Sequence, residues 1–320
     1  MWLKIKNFKF TKKRIILLVA TVLALILIFD AVSAAVITSS IFSNGGSKSF
    51  YKYAYGEEGL DFSDENKKWI ESNSESVYAE NDGKKLHALE IKNKNVSHSY
   101  VIACHQYGGS AVSMAQYAMH FYELGFNVLL PDLRGFGENE YKKVSMGWED
   151  RLDIVKWCEY ITEKDSSARI ILFGVSLGAS AVTNAAGEEL PDSVRAVVAD
   201  SCYSDVWAAV KGYIKDKPLL QSFPTVNMAS AFGNMKNGWS FKDASTVSKA
   251  EDVTLPILFI HGENDEFAPI SQSNDIFEVC DSDVVDQVII EDGTHAKNLE
   301  TDETTYWSEV DLFILNNIGL

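Results

Sequence analysis

From about residue 75 onward, short apolar runs alternate with amphipathic stretches. Candidate strands are Ser76–Glu80, Leu86–Ile91, Tyr100–His105, Asn127–Pro131, Arg169–Phe173, Val194–Ala199, Pro256–His261 and Val284–Ile290. The later ones are short continuous apolar runs, as strands buried on both faces should be. Helical segments are predicted near 111–124, 149–164, 177–189, 271–280 and 303–316. In the last of these, Tyr306, Val310, Phe313 and Ile314 fall on one face. Two antiparallel-looking strands followed by strand and helix in alternation predict an α/β architecture, with a mostly parallel eight-stranded sheet flanked by helices. Residues 201–253 break the rhythm. They read as a mainly helical, aromatic-rich insertion between strands.

The N-terminal pattern is different. A basic tip over residues 1–14 precedes Ile15 to Phe29, an apolar run interrupted only by Thr21, and Asp30 separates it from a milder run, Ala31 to Thr38. A signal peptide has this layout, with Val32-Ser33-Ala34 as its cleavage site, and would release a secreted protein. A signal anchor needs about 20 apolar residues to cross the hydrocarbon core. Residues 15–38 reach that length if Asp30 sits near the outer interface. No glycine or proline breaks the helix between the two runs, so an uncleaved transmembrane anchor is the preferred reading. Both readings keep the Lys/Arg cluster inside and the body outside the cytoplasm. Ser39 to Ser49 reads as a flexible stalk, and residues 51–72 as short helices packed on the domain. The expected organisation is a tip at 1–14, an anchor at 15–38, stalk and short helices at 39–74, and a body at 75–320.

Charge and cysteine content narrow the classes. The net charge is −16, yet residues 1–40 hold six Lys/Arg and one acid, so the remainder carries 23 basic and 44 acidic residues, or −21. Such a body repels phosphate backbones, which argues against nucleic acid as a partner. Cys104, Cys158, Cys202 and Cys280 lack metal-site spacing, and no disulfide is expected. No His/Asp/Glu cluster has ligand spacing, so neither metal nor cofactor is expected.

The strongest chemical signal is Gly174-Val175-Ser176-Leu177-Gly178, between an apolar strand and a helix. A serine on so tight a turn is pushed out above the sheet edge, and glycines on both sides let the backbone crowd past it. Ser176 is therefore the candidate nucleophile. Its base should follow the last strand, where His295 lies just before the final helix. The acid that orients the imidazole is Asp265, after the strand ending in His261, with Asp200 as its rival at the end of the preceding strand. His261 is expected to hydrogen-bond the turn it closes, and Asp292 to be a surface-turn residue. Donors for an oxyanion would be the amide of Leu177 and the amide of Tyr107, whose side chain would overhang the site.

Together HQYGG, the Asp132–Asn139 segment DLRGFGEN, GVSLG, HGENDEFAP and GTHA resemble the α/β-hydrolase superfamily, in its serine aminopeptidase-like, prolyl-oligopeptidase-related branch. The resemblance covers roughly residues 75–320. With the basic start and anchor, the chain is similar to a bacterial group of membrane-anchored hydrolases given esterase- or peptidase-like roles. It implies that 201–253 is a small helical cap and that Arg134 and its neighbouring glycines form a structural turn. Where relatives have His-Gly in the oxyanion loop, this chain has His105-Gln106, so Gln106 is expected to add a side-chain contact. Tyr203 and Trp207 are candidate substrate-pocket residues. The implied activity is hydrolysis of a small-molecule ester through an acyl-enzyme. Cleavage of short peptides, acyl transfer with the same residues and a non-catalytic surface scaffold are the alternatives.

Overall fold

The computed structural model describes residues 11–60, 63–218 and 220–318. Most of the basic tip, including Lys4, Lys6 and Lys9, lies outside the described residues.

Eight strands form one sheet: β1 (Glu75–Asn81), β2 (Lys84–Ile91), β3 (Ser99–Cys104), β4 (Asn127–Pro131), β5 (Arg169–Val175), β6 (Val194–Asp200), β7 (Ile257–Gly262) and β8 (Val285–Ile290). Their order is β1-β2-β4-β3-β5-β6-β7-β8. β2 pairs antiparallel with β1 and β4, and every pairing from β4 to β8 is parallel. Each expected strand is present, with its ends shifted by no more than two residues.

Twelve α-helices are formed among the described residues, with a 3-10 turn at Ala111–Met114 leading into the fourth. They are α1 (Lys12–Ile41), α2 (Lys48–Tyr55), α3 (Asp64–Asn73), α4 (Ala115–Glu123), α5 (Asp150–Lys164), α6 (Leu177–Ala186), α7 (Val206–Lys215), α8 (Ser222–Asn237), α9 (Thr246–Ala250), α10 (Ile270–Val279), α11 (Asn298–Thr301) and α12 (Glu303–Ile318). α4 and α12 share one face of the sheet, where Tyr117 meets Tyr306 and Trp307, and His120 Nε2 lies 2.8 Å from Asp311 Oδ1. α5 and α6 pack together on the sheet as well, and right-handed crossovers set them on the opposite face. This explains why β3 to β7 are apolar along nearly their whole length: helices cover both sides. Between β6 and β7 the insertion contributes α7, α8 and α9.

Chain direction makes the strand order reverse beside β3. The chain leaves β3 toward β4, returns across it to β5, then continues through β6 to β8. In an open parallel sheet the crevice for a ligand opens at such a switch point, outside the carboxyl ends of the strands. The loop after β3 and the turn after β5 both end there.

The N-terminal region departs from expectation. α1 is one continuous 30-residue helix reaching Ile41, and only its first part is bare. Ile15 to Phe29 expose their apolar side chains, whereas Asp30, Ala34, Ile37, Thr38 and Ile41 are buried. They pack against α8: Thr225 Oγ1 donates to Asp30 Oδ1 at 2.9 Å, and Thr38 Oγ1 bonds the carbonyl of Ala229. Asp30, expected at a membrane interface, is thus held in a protein contact. Fifteen bare residues rise only about 22 Å at 1.5 Å each, so Val32 and Val36, exposed on the outer face, would complete an apolar span. The expected flexible stalk is packed rather than extended. Phe42 stacks on Phe241, the Gly45 amide donates to the Gly135 carbonyl at 2.7 Å, and the Ser47 amide donates to the Tyr107 hydroxyl at 2.6 Å. Serine and glycine here serve turns and a helix cap, Ser47 Oγ accepting from the Phe50 amide.

The DLRGFGEN turn is structural, as the resemblance implies. Asp132 accepts the amides of Ala111 and Glu138 and faces His87 Nδ1. Arg134 pairs with Asp153 and Glu149. At Gly137 a Cβ would lie 2.0 Å from the Asp132 carboxyl carbon, so only glycine allows this turn to close.

Candidate active site

Ser176 stands between β5 and α6 with φ 54° and ψ −111°, a strained conformation that non-glycine residues rarely adopt. The flanking glycines are sterically required. A Cβ at Gly174 would lie 2.3 Å from the Gly178 backbone, and one at Gly178 would lie 2.1 Å from the Cys104 carbonyl oxygen. The Ser176 amide donates to the Asp200 carbonyl at 2.8 Å, tying the turn to β6. Gly178→Ala forces β3 and α6 apart, and the expected cost is about 3 kcal/mol or more of stability, checked by denaturant titration.

The three residues singled out for nucleophile, base and acid meet. Ser176 Oγ is 2.7 Å from His295 Nε2, and His295 Nδ1 is 2.7 Å from Asp265 Oδ2. All three are buried. Each comes from a turn at the carboxyl edge, after β5, β7 and β8 respectively. Asp265 is held by the Ala268 amide on Oδ1 at 2.8 Å, and His261 Nε2 bonds the Ala268 carbonyl at 2.6 Å, which closes the same turn. An acceptor on Nδ1 fixes the imidazole tautomer and leaves Nε2 to take a proton from the serine.

Asp200, the rival acid, does other work. Its carboxylate accepts from Asn298 Nδ2 at 2.6 Å, Ser201 Oγ at 2.9 Å and the Tyr306 hydroxyl at 3.0 Å. Ser201 Oγ in turn accepts the Ala296 amide. Asp200 therefore steadies the loop that carries His295 without touching the imidazole. Burial raises its pKa despite these donors.

A family profile for the α/β-hydrolase fold matches residues 100–214, a stretch that takes in Ser176 and ends before Asp265 and His295. Among solved structures, the esterase Pf2001 of Pyrococcus furiosus superimposes with a TM-score of 0.66 at 19% identity, over 81% of this chain and 96% of that one. This chain has the α/β-hydrolase fold. The acylaminoacyl peptidase of Pyrococcus horikoshii gives a TM-score of 0.54 at 19% identity, over 79% of this chain and 43% of that one. An uncharacterized Bacillus subtilis protein, YqkD, is 25% identical over 217 residues, spanning 68% of this chain and 71% of that one. Human protein ABHD12B is 29% identical over 162 residues, and the match spans only 42% of its length.

The remaining expected residues divide. Leu177 opens α6, so its amide is among those with no carbonyl partner within the helix. The Tyr107 backbone lies beside the Tyr55 phenol and slightly offsets the upward push of burial on its pKa. The Tyr107 side chain, expected over the site, turns instead to the N-terminal segment, where its hydroxyl donates to the Ile41 carbonyl at 2.8 Å and its ring packs on Phe50. Gln106 gives no contact to the serine. It is buried beside Gly109, where the nearest atoms to an added Cβ belong to Ser113 and Gln106 itself. Tyr203 donates its hydroxyl to the Met146 carbonyl and meets Phe267 edge-on, one ring removed from His295. Trp207 lies beneath Lys242 and does not line the opening beside His295.

Two aromatic residues beside the site went unrecognised in the sequence: Tyr55 and Phe267. Phe267 lies 4.4 Å from the His295 ring, and Tyr55 stacks on it at 5.6 Å with an 18° interplanar angle. Beyond them an opening of about 420 Å³ is lined by Tyr53, Tyr55, Asn264, Phe267, His295 and Lys297 among others. The signal was there in the aromatic run Phe50, Tyr51, Tyr53, Tyr55, which no reading of an exposed helix explains. All four cysteines are free thiols, three of them buried.

Proposed function

We propose that this chain is a serine hydrolase that cleaves small carboxylic esters through an acyl-enzyme on Ser176. The observation that carries it is the continuous hydrogen-bonded line from Ser176 Oγ through His295 to Asp265, with 2.7 Å at each link. His295 Nε2 accepts the serine proton as Oγ bonds the substrate carbonyl carbon, and the carbonyl electron pair moves onto oxygen. The amides of Leu177 and Tyr107 are the donors for that oxyanion. Collapse expels the alkoxide, which takes the proton from the imidazolium and leaves as the alcohol. Water then gives a proton to His295, attacks the acyl carbon and releases Ser176 with a carboxylic acid.

Small esters are favoured over peptides because the opening beside His295 is only about 420 Å³ and is lined by Tyr53, Tyr55 and Phe267. The exposed apolar span of α1 and the basic residues Lys12, Lys13 and Arg14 before it support a membrane anchor with the acidic body on the extracytoplasmic side. The test is a turnover panel on the full chain in detergent, using p-nitrophenyl esters from acetate to decanoate and aminoacyl p-nitroanilides. Ester turnover exceeding anilide turnover by roughly 100-fold or more in kcat/KM, a difference of about 2.7 kcal/mol, is expected. Faster anilide cleavage would replace the esterase reading with a peptidase one.

A further inference from the structure

The group nearest the candidate nucleophile on its open side belongs to the chain itself. The Tyr55 hydroxyl lies 3.1 Å from Ser176 Oγ. A carbonyl poised for attack must bring its carbon to about 3–3.5 Å from the serine oxygen. The Tyr55 oxygen, 3.1 Å from Ser176 Oγ, stands at that distance already. Its ring covers the His295 imidazole, over which the leaving group or the hydrolytic water would pass. On that reading of the serine as nucleophile, we propose that α2 is an intramolecular plug: Tyr55 fills the place beside Ser176 that a substrate carbonyl must take and shuts the site until α2 swings aside.

The surroundings fit a part that moves as a unit. α2 is bracketed by glycines with left-handed backbone, Gly45 and Gly46 before it and Gly56 and Gly59 after it, with φ between 71° and 81°. Gly45 and Gly56 have no neighbour within 4 Å of a would-be Cβ, so their freedom serves backbone geometry rather than packing. In the closed position α2 is latched by its aromatic face and by polar contacts. Phe50 sits among Tyr107, Tyr213 and Phe267, and Ser49 Oγ bonds the Tyr213 hydroxyl at 2.5 Å. The latch continues to α1, because Tyr107 donates its hydroxyl to the Ile41 carbonyl while its ring packs on Phe50 of α2. Any shift of α1 relative to the body therefore pulls on the residue that holds the plug. A closed state shut in nine molecules of ten lowers apparent turnover about ten-fold, since only the competent fraction reacts.

The experiment measures p-nitrophenyl acetate kcat/KM and melting temperature on the full chain in detergent for wild type, Tyr55→Phe and Tyr55→Ala. Tyr55→Ala is expected to raise kcat/KM about ten-fold while lowering the melting temperature, because the residue that blocks the site also packs it. Tyr55→Phe keeps the ring and drops the hydroxyl, and a smaller rise is expected. A residue that merely supports the fold would lower both quantities, and one that donates a proton to the oxyanion would lose activity as phenylalanine. Unchanged or reduced kcat/KM in either folded variant overturns the plug. Adding Ser176→Ala to Tyr55→Ala separates the two readings. Turnover that survives the double change refutes Ser176 as nucleophile. Loss of turnover there, with no gain in Tyr55→Ala alone, refutes only the plug. No turnover in any variant refutes both.

Discussion

Ser176→Ala is expected to lower ester turnover by roughly 10⁴-fold or more while leaving the fold in place, since removing the nucleophile of such a relay leaves only what oxyanion donors and binding supply. The stability change should be about 1 kcal/mol or less. Among the described residues Oγ is bonded only to His295 and Tyr55, while the turn itself is held by backbone through the Asp200 carbonyl and the Ser180 amide. The strain at φ 54° is borne equally by alanine. Turnover of purified variant and wild type, with circular dichroism on both, checks the pair of statements. Near-normal turnover would remove Ser176 from the chemistry, and loss of the folded state would show that the elbow needs the hydroxyl.

Asp265→Asn carries the second large effect, on the order of 10⁴ in kcat. The carboxylate has one oxygen on the Ala268 amide and the other on His295 Nδ1. An asparagine keeps the Ala268 bond with its carbonyl and presents an NH₂ to Nδ1. The imidazole then protonates on Nε2, the atom that must accept the serine proton. Asp200→Asn is the contrast. Asp200 receives Asn298, Ser201 and Tyr306 and no imidazole nitrogen, so its variant should lose stability while each folded molecule keeps turnover within roughly ten-fold of wild type. If Asp200→Asn lowers kcat more than Asp265→Asn, the acid is misassigned.

The contrast shows what could be read from the chain and what could not. The central strands β3 to β7 were legible because a sheet covered on both faces needs unbroken apolar runs, and few other structures tolerate a run such as RIILF. Ser176 was legible because Gly174 and Gly178 are demanded by close backbone approach, which leaves a mark in sequence. His295 and Asp265 are placed by chain order and sheet edge. The role of Asp200 is not, because its partners Asn298 and Tyr306 are about 100 residues distant and nothing local ties them to it. The side-chain direction of Tyr107 was misjudged for the same reason. A tyrosine in an oxyanion loop has an apolar ring and a polar tip, and the tip goes to whatever donor or acceptor tertiary packing offers, here Ile41 and Ser47.

The N-terminal segment teaches the opposite lesson. Serine and glycine at 39–49 describe a stalk by composition, yet the same residues make a capped turn when aromatic neighbours supply something to bury. Phe42 and Phe50 supply it, on Phe241 and on Tyr107, Tyr213 and Phe267. Composition reports what a segment can do without partners. Tyr55 reached the site only because such partners exist, and no local pattern announces a residue that acts at a sequence distance of 121 from its contact.

The most direct test of the central claim is where a fluorophosphonate lands on the full chain in detergent after exhaustive incubation, read by intact mass and peptide mapping. One adduct per chain on the peptide carrying Ser176, absent from Ser176→Ala, is the predicted result. A folded chain that stays unlabelled even with Tyr55→Ala, or that carries its adduct on another residue, would contradict the account.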